Sequence, residues 1–140
     1  MAYKLDQMNV VDLNQFDELD EVYRNLNLKR DVAYTFKSGS EAKGYIVIKI
    51  ISQMNEYKLG KMLIKYEDDF DKEIIDLFNE FLHTQIIDNY MLKITTDIEE
   101  EKTNTIELLK KLGFIYDDKA TKVAGFIPLK ITKPIFLERS

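Results

Sequence analysis

The chain has 140 residues, 45% of them hydrophobic, which is enough for one domain with a buried core. The formal net charge of −5 argues against nonspecific nucleic-acid binding, because such binding requires a basic surface. Cysteine is absent, which excludes disulfides, and the single histidine excludes zinc sites built from several histidines. With neither a membrane-spanning apolar run nor a signal pattern, we expect a cytoplasmic protein that binds no membrane, nucleic acid or metal.

Hydrophobic periodicity predicts strands and helices that alternate along the chain. In chain order the prediction is a strand at 3–8, a helix at 12–26, strands at 31–36, 42–51 and 62–66, a helix at 71–82, a strand at 90–95, a helix at 99–112, and strands at 114–116 and 122–131. We expect a single domain over residues 1–132, followed by a C-terminal tail at 133–140.

Capping residues mark the ends of the predicted helices. Asp12 and Asp71 are predicted N-caps, because an aspartate carboxylate accepts hydrogen bonds from the exposed amides of a first turn. Gly113 is predicted to end the helix at 99–112 in a left-handed conformation. The helix at 71–82 is strongly amphipathic, since its apolar residues recur every three or four positions.

The order of elements predicts an α/β (α+β) fold. Three strands joined by short turns favour antiparallel pairing, whereas helical crossovers are compatible with parallel neighbours. We therefore expect a mixed, mostly antiparallel central sheet that is flanked by about three helices.

This order resembles that of the GCN5-related N-acetyltransferases (GNAT, the acyl-CoA N-acyltransferase fold). Two short segments carry the resemblance in sequence. IELLKKLGF at 106–114 is similar to the family's leucine-rich helix ending in Gly-Phe, and GYIVI at 44–48 is similar to its third strand. The resemblance implies transfer of an acetyl group from acetyl-CoA to an amine.

In the resembled family, acetyl-CoA phosphates lie at a glycine-rich helix start that offers backbone amides. The corresponding stretch, 69–74, has no glycine, and Lys72 and Ile74 occupy positions of small residues. By position the cofactor-binding candidates are Tyr66, Asp71, Lys72, Glu73 and Ile74. Because the carboxylates repel phosphate and the side chains crowd its approach, the sequence predicts weak or no binding of acetyl-CoA.

The catalytic residues of the resembled family are incomplete in this chain. Lys102 stands where active members often have asparagine, and Leu109 stands where they have a tyrosine that protonates the leaving thiolate. Glu67, at the end of the central strand, is the candidate general base, although a solvated or helix-capping carboxylate is the simpler interpretation.

Two function classes therefore stay open. The first is an N-acyltransferase with an altered donor site and an unknown amine substrate. The second is a catalytically degenerate module that binds a protein partner or a small ligand, or only dimerises. The apolar residues Ile135, Phe136 and Leu137 of the tail either cover the sheet edge or dock on a second subunit as a homodimer.

Overall fold

The computed structural model describes residues 3–9, 12, 15–27, 29–66 and 70–139. The strands are β1 Tyr3–Gln7, β2 Val32–Ser38, β3 Glu41–Met54, β4 Tyr57–Tyr66, β5 Met91–Glu99, β6 Ile115–Tyr116 and β7 Phe126–Thr132. The helices are α1 Leu19–Arg24, α2 Lys72–His83, α3 Thr103–Lys111 and α4 Lys133–Glu138, and a π-helical segment, Thr84–Asp88, follows α2.

The strands form a single sheet in the order β1-β2-β3-β4-β5-β7-β6. Only β4 and β5 are parallel, and the other neighbours are antiparallel. The predicted mixed, mostly antiparallel sheet is therefore confirmed, with four helices among the described residues rather than about three.

The core has two parts because alternate residues of a strand point to opposite faces of the sheet. Ile46 and Ile48 of β3 belong to the larger cluster, which also includes buried residues of α2, α3 and α4. Tyr45 and Val47 belong to the smaller cluster, which includes Leu19 of α1. The sheet thus separates α1 from the other helices.

Helix α2 follows its predicted pattern closely. Asp71 is its N-cap, and the carboxylate Oδ1 accepts a hydrogen bond of 3.0 Å from the amide of Ile74. The side chains of Ile74, Phe78 and Leu82 are fully buried against the sheet. Capping and amphipathicity therefore determine this element locally.

The prediction that Asp12 begins a helix is wrong. Its buried carboxylate accepts hydrogen bonds from the amide of Asn9 and the hydroxyl of Thr35, and it forms an ion pair of 3.1 Å with Lys37. The helix begins instead at Leu19. The carboxylate that the sequence pattern predicted as a helix cap thus binds side chains of β2 instead.

Two other boundaries also differ from the predictions. Helix α3 begins at Thr103 rather than at residue 99, because Glu99 still pairs with Phe126 in the ladder between β5 and β7. The turn between β3 and β4 is tighter than predicted and lies at Asn55 and Glu56, with Asn55 at a φ of 57°.

The C-terminal tail is helical where the sequence predicted no regular element. Thr132 caps α4, Pro134 lies in its first turn, and Phe136 is buried in the main core. The predicted left-handed Gly113 is confirmed, with a φ of 110°. Within the described ranges, no helix is long and apolar enough to cross a membrane.

Candidate functional site

Strands β4 and β5 separate along part of their length. Their last matched residues in the ladder are Lys61 and Thr95, yet β4 continues to Tyr66 and β5 to Glu99. Just beyond the ladder, the hydroxyl of Thr96 donates a hydrogen bond of 2.9 Å to the carbonyl of Met62. The centre of the sheet is therefore open beyond this point.

A cavity of about 400 Å³ occupies this opening. Residues 63–66 of β4 and 96–99 of β5 line it, together with side chains that include Glu18, Tyr45 and Lys102. Cavities of this size accommodate small organic ligands. Phe70 does not line this cavity, so its ring does not fill the opening.

Glu18 connects the segment before α1 with two central strands. Its Oε1 accepts hydrogen bonds of 2.8 Å from Tyr45 Oη and 2.8 Å from Lys65 Nζ. The hydrogen bond from Lys65 holds the pKa of Glu18 below its ordinary value, whereas burial and the bond to Glu18 raise the pKa of Tyr45. Glu18 is therefore a carboxylate and Tyr45 a neutral phenol at neutral pH.

The lowered pKa of Glu18 makes a testable contribution to acid stability. A carboxyl with a lowered folded-state pKa stabilises the protein above its ordinary pKa, and this contribution is lost as pH falls through the folded-state value. The difference in unfolding free energy between wild type and Glu18→Gln should therefore shrink as the pH is lowered from about 5 to 3. The pair is partly exposed, so we expect no more than about 1 kcal/mol.

Urea unfolding at several pH values measures this difference. Glu21→Gln, at an exposed position on α1, is the matched control and should show a smaller change with pH. Parallel pH profiles for Glu18→Gln and Glu21→Gln would show that the bond from Lys65 does not stabilise the folded protein.

The charged lining of the cavity is mixed. Three carboxylates, Glu18, Asp97 and Glu99, face two ammonium groups, Lys65 and Lys102. Asp97 forms an ion pair of 3.5 Å with Lys61, which does not line the cavity. Together with Lys61, three ammonium groups therefore balance the three carboxylates around the opening.

The N-terminus of α2 holds carboxylates in two different ways. Asp71 accepts from the amide of Ile74, so one amide of the first turn is already bonded to an anionic side chain. Glu73 instead accepts a hydrogen bond of 2.8 Å from the amide of Tyr3 on β1. The Asp71 carboxylate thus occupies an amide to which a phosphate at this helix start could otherwise bind.

A chain of smaller cavities leads from the opening past this helix start. A cavity of about 240 Å³ shares Tyr66 and Lys102 with the main cavity, and shares Phe70 with a third cavity of about 210 Å³. The rings of Tyr66 and Phe70 are 5.1 Å apart. Phe70 therefore borders the two smaller cavities and not the main one.

The remaining candidate residues have different surroundings. Glu67 lies outside the described residues. Tyr66 lines the main cavity, Lys72 is exposed, and the Ile74 side chain is fully buried in the core. Leu109, which corresponds in position to a catalytic tyrosine of the resembled family, is also fully buried.

Sequence reasoning missed Glu18 and Tyr45 as residues of the opening. One signal was present: Lys65 interrupts the otherwise apolar run at 62–66. A lysine in a half-buried strand needs an anionic partner, although the sequence gives no indication of where that partner lies. In the part of the chain that the structure describes, no group of three or more His, Asp or Glu could hold a metal ion.

The fold is shared with solved N-acetyltransferases. A chimera of the spermidine N-acetyltransferase SpeG from Vibrio cholerae and hSSAT is 16% identical with a TM-score of 0.69, covering 99% of this chain and 100% of that chain. The Vibrio cholerae spermidine N-acetyltransferase in complex with CoA and spermine is 16% identical with a TM-score of 0.67, and the match covers 97% of this chain and 98% of that chain.

A third structure is the Campylobacter jejuni N-acetyltransferase PseH, 12% identical with a TM-score of 0.61, covering 93% of this chain and 97% of that chain. No protein-family model and no curated protein matches the sequence. The chain therefore has the fold of the GCN5-related N-acetyltransferases, with a sequence that is only 12% to 16% identical to these solved enzymes.

Proposed function

We propose that this protein is an N-acyltransferase that moves an acyl group from an acyl-CoA to an amine. The observation that carries the proposal is the cavity of about 400 Å³ between the separated ends of β4 and β5. Beyond the parallel ladder, the strand backbone at the opening can orient a thioester carbonyl. Carboxylates that attract an amine lie next to this backbone.

The donor supplies a thioester, and the residues of this chain position the two reactants. The amine nitrogen forms a bond to the acyl carbon while the carbon–sulfur bond breaks and the thiolate leaves. Glu67 or a water molecule takes the amine proton. The fully buried Leu109 cannot protonate the thiolate, but thiols ionise near pH 8.5, so water can complete that step. Catalysis would rest mainly on positioning.

The α2 start fits the donor's phosphates poorly, whereas the opening fits its thioester end. Because the Asp71 carboxylate is bonded to the Ile74 amide and repels phosphate, we expect the nucleotide part of acyl-CoA to add little affinity. Acetyl-CoA and acetyl-pantetheine, which lacks the nucleotide and diphosphate, should then bind within about threefold of each other. In an enzyme with a favourable phosphate site, removal of that part would weaken binding far more.

Isothermal titration with both donors tests the proposal. Binding of acetyl-CoA in the micromolar range, with acetyl transfer to an amine such as spermidine, supports the enzyme. We choose spermidine because it is a substrate named for similar structures. The absence of binding by either donor at millimolar concentration would overturn it.

The second candidate is a catalytically degenerate module that binds a protein partner or another ligand, or dimerises. It is favoured by the Asp71 carboxylate at the helix start and by the buried Leu109. Sedimentation measurements and titration with acetyl-CoA separate the two functions, because this module would show no donor binding at any concentration tested.

A further inference from the structure

The main cavity is lined from both faces of the sheet. Ile64 and Tyr66 of β4 and Ile98 of β5 line it from the face that carries α2 and α3, since all three pack in the larger core cluster. Alternate residues of a strand point to opposite faces. Leu63 of β4 and Glu99 of β5 therefore line the same cavity from the other face, which carries α1.

Two ion pairs confirm that the Leu63 side chain is on the α1 face. Lys61 and Lys65 of β4, two residues before and after Leu63, share its face. Lys65 forms an ion pair of 2.8 Å with Glu18, the residue that precedes α1, and Lys61 forms one of 3.5 Å with Asp97 of β5. The α1 face of the opening thus combines paired charges with an apolar side chain.

Two large apolar side chains on this face are exposed within the cavity. Leu63 is 45% exposed, and Phe126 of β7 is 37% exposed. Phe126 pairs with Glu99 across the ladder, so the two side chains share a face. A single exposed leucine needs no explanation, whereas apolar side chains that line one cavity are typical of a ligand site. An apolar group bound against them would be removed from water, which is favourable.

The charges of the opening favour a ligand with one amine over a ligand with several. Glu18 and Asp97 are already paired with lysines, so a further ammonium beside either of them would also meet a cation. Among the described residues, Glu99 is the cavity carboxylate that has no ion pair with a lysine, and it can attract one ammonium. A second ammonium would have to lie near apolar or cationic side chains.

We propose that the acceptor is a primary monoamine with an apolar body, and that Leu63 and Phe126 bind this body and determine specificity. The acceptor enters from the α1 face, whereas the donor approaches from the face that carries α2 and α3. The identification of the ligand as an acceptor rests on the proposed function, but its binding to these two side chains does not.

Calorimetry with hexylamine, propylamine and cadaverine tests the binding step without any acyl donor. Cadaverine has an amine where hexylamine has its terminal methyl group, so the two have equal length. We expect wild type to bind hexylamine about tenfold more tightly than propylamine, which lacks three methylenes that would be partly buried. Hexylamine should also bind about tenfold more tightly than cadaverine, whose second ammonium would lose water against apolar side chains.

Matched variants assign the preference to the two side chains. Leu63→Ala and Phe126→Ala should each lower the ratio of hexylamine to propylamine affinity to about threefold. Leu63→Glu should reverse the preference for hexylamine over cadaverine, because the new carboxylate pairs with the second ammonium. Ile115→Ala removes the same number of carbon atoms as Leu63→Ala from an equally exposed side chain that does not line the cavity, and should leave both ratios unchanged.

Thermal unfolding of each variant shows that it is folded before it is titrated. Equal affinity of wild type for hexylamine and propylamine would overturn the inference. A preference for hexylamine that survives both alanine substitutions, or that Ile115→Ala reduces as much as Leu63→Ala does, would also overturn it.

The same amines distinguish this inference from the proposed function. Binding of hexylamine that depends on Leu63, in a protein that binds no acyl donor, supports the apolar amine site and overturns the transferase. Acetyl transfer with a higher kcat/KM for spermidine than for hexylamine supports the transferase and overturns the inference. When both are correct, Leu63→Ala should lower kcat/KM for hexylamine about threefold more than for propylamine.

Discussion

Gly44→Ala should lower the free energy of unfolding by about 3 kcal/mol, the upper end for overpacking a well-packed core. Gly44 of β3 pairs with Tyr66 at the end of β4. A Cβ atom at this position would overlap the carbonyl oxygen of Lys65 and would lie 2.9 Å from Cδ2 of Tyr66. The first neighbour is backbone, so β4 itself must move.

The movement of β4 also affects the opening, since residues 63–66 line the main cavity. Gly125→Ala is the matched control. Gly125 has a φ of 85°, but a Cβ added there would meet no described atom within 4 Å, so this variant adds only backbone strain of about 1 kcal/mol. Equal losses in the two variants, measured by urea unfolding, would show that close contact at Gly44 is not what requires glycine.

Asp71→Gly should raise the affinity for acetyl-CoA by at least about tenfold. A carboxylate about 5 Å from a phosphate charge costs about 3 kcal/mol at an effective dielectric near 20, which corresponds to about 100-fold before screening by salt. The substitution also frees the amide of Ile74 for the donor and reduces crowding at the helix start. Because glycine is a tolerated N-cap, α2 should lose only a few tenths of a kcal/mol.

Three further variants resolve the cause. Asp71→Asn keeps the cap and the shape but removes the charge, so a gain equal to that of glycine identifies repulsion rather than crowding. Glu73→Gln should gain less, because its carboxylate already accepts from the amide of Tyr3. Asp76→Asn, further along α2 and exposed, controls for net charge. Unchanged calorimetric affinity in Asp71→Gly would show that this corner does not oppose the donor.

Local signals predicted the parts of the fold that local chemistry determines. Asp71 as the cap of α2 and Gly113 as a left-handed helix end both follow from the properties of single residues. The prediction failed at Asp12 because its partners, Thr35 and Lys37, are far along the chain and are brought close only by the strand pairing. An aspartate can be a helix cap or a buried ion-pair partner, so the residue type alone does not distinguish the two roles.

The candidate site divides in the same way. The sequence identified the acidic start of α2 from residue types at neighbouring positions, whereas Leu109 in place of a catalytic tyrosine is only what the family resemblance implies. The assignment of Glu67 as a base stays a prediction. The cluster of Glu18, Tyr45 and Lys65 could not be predicted, since 27 and 47 residues separate Glu18 from its two partners.

By itself, the sequence determined the order of the elements from β1 to β7, the amphipathic face of α2 and the negative charge at its start, because periodicity and charge are properties of neighbouring residues. Only the tertiary structure decided that β4 and β5 separate beyond Lys61 and Thr95, and that a carboxylate from the segment before α1 meets a lysine of β4 beside the opening. Strand register and the approach of distant segments depend on the packing of the whole sheet, which no local pattern encodes.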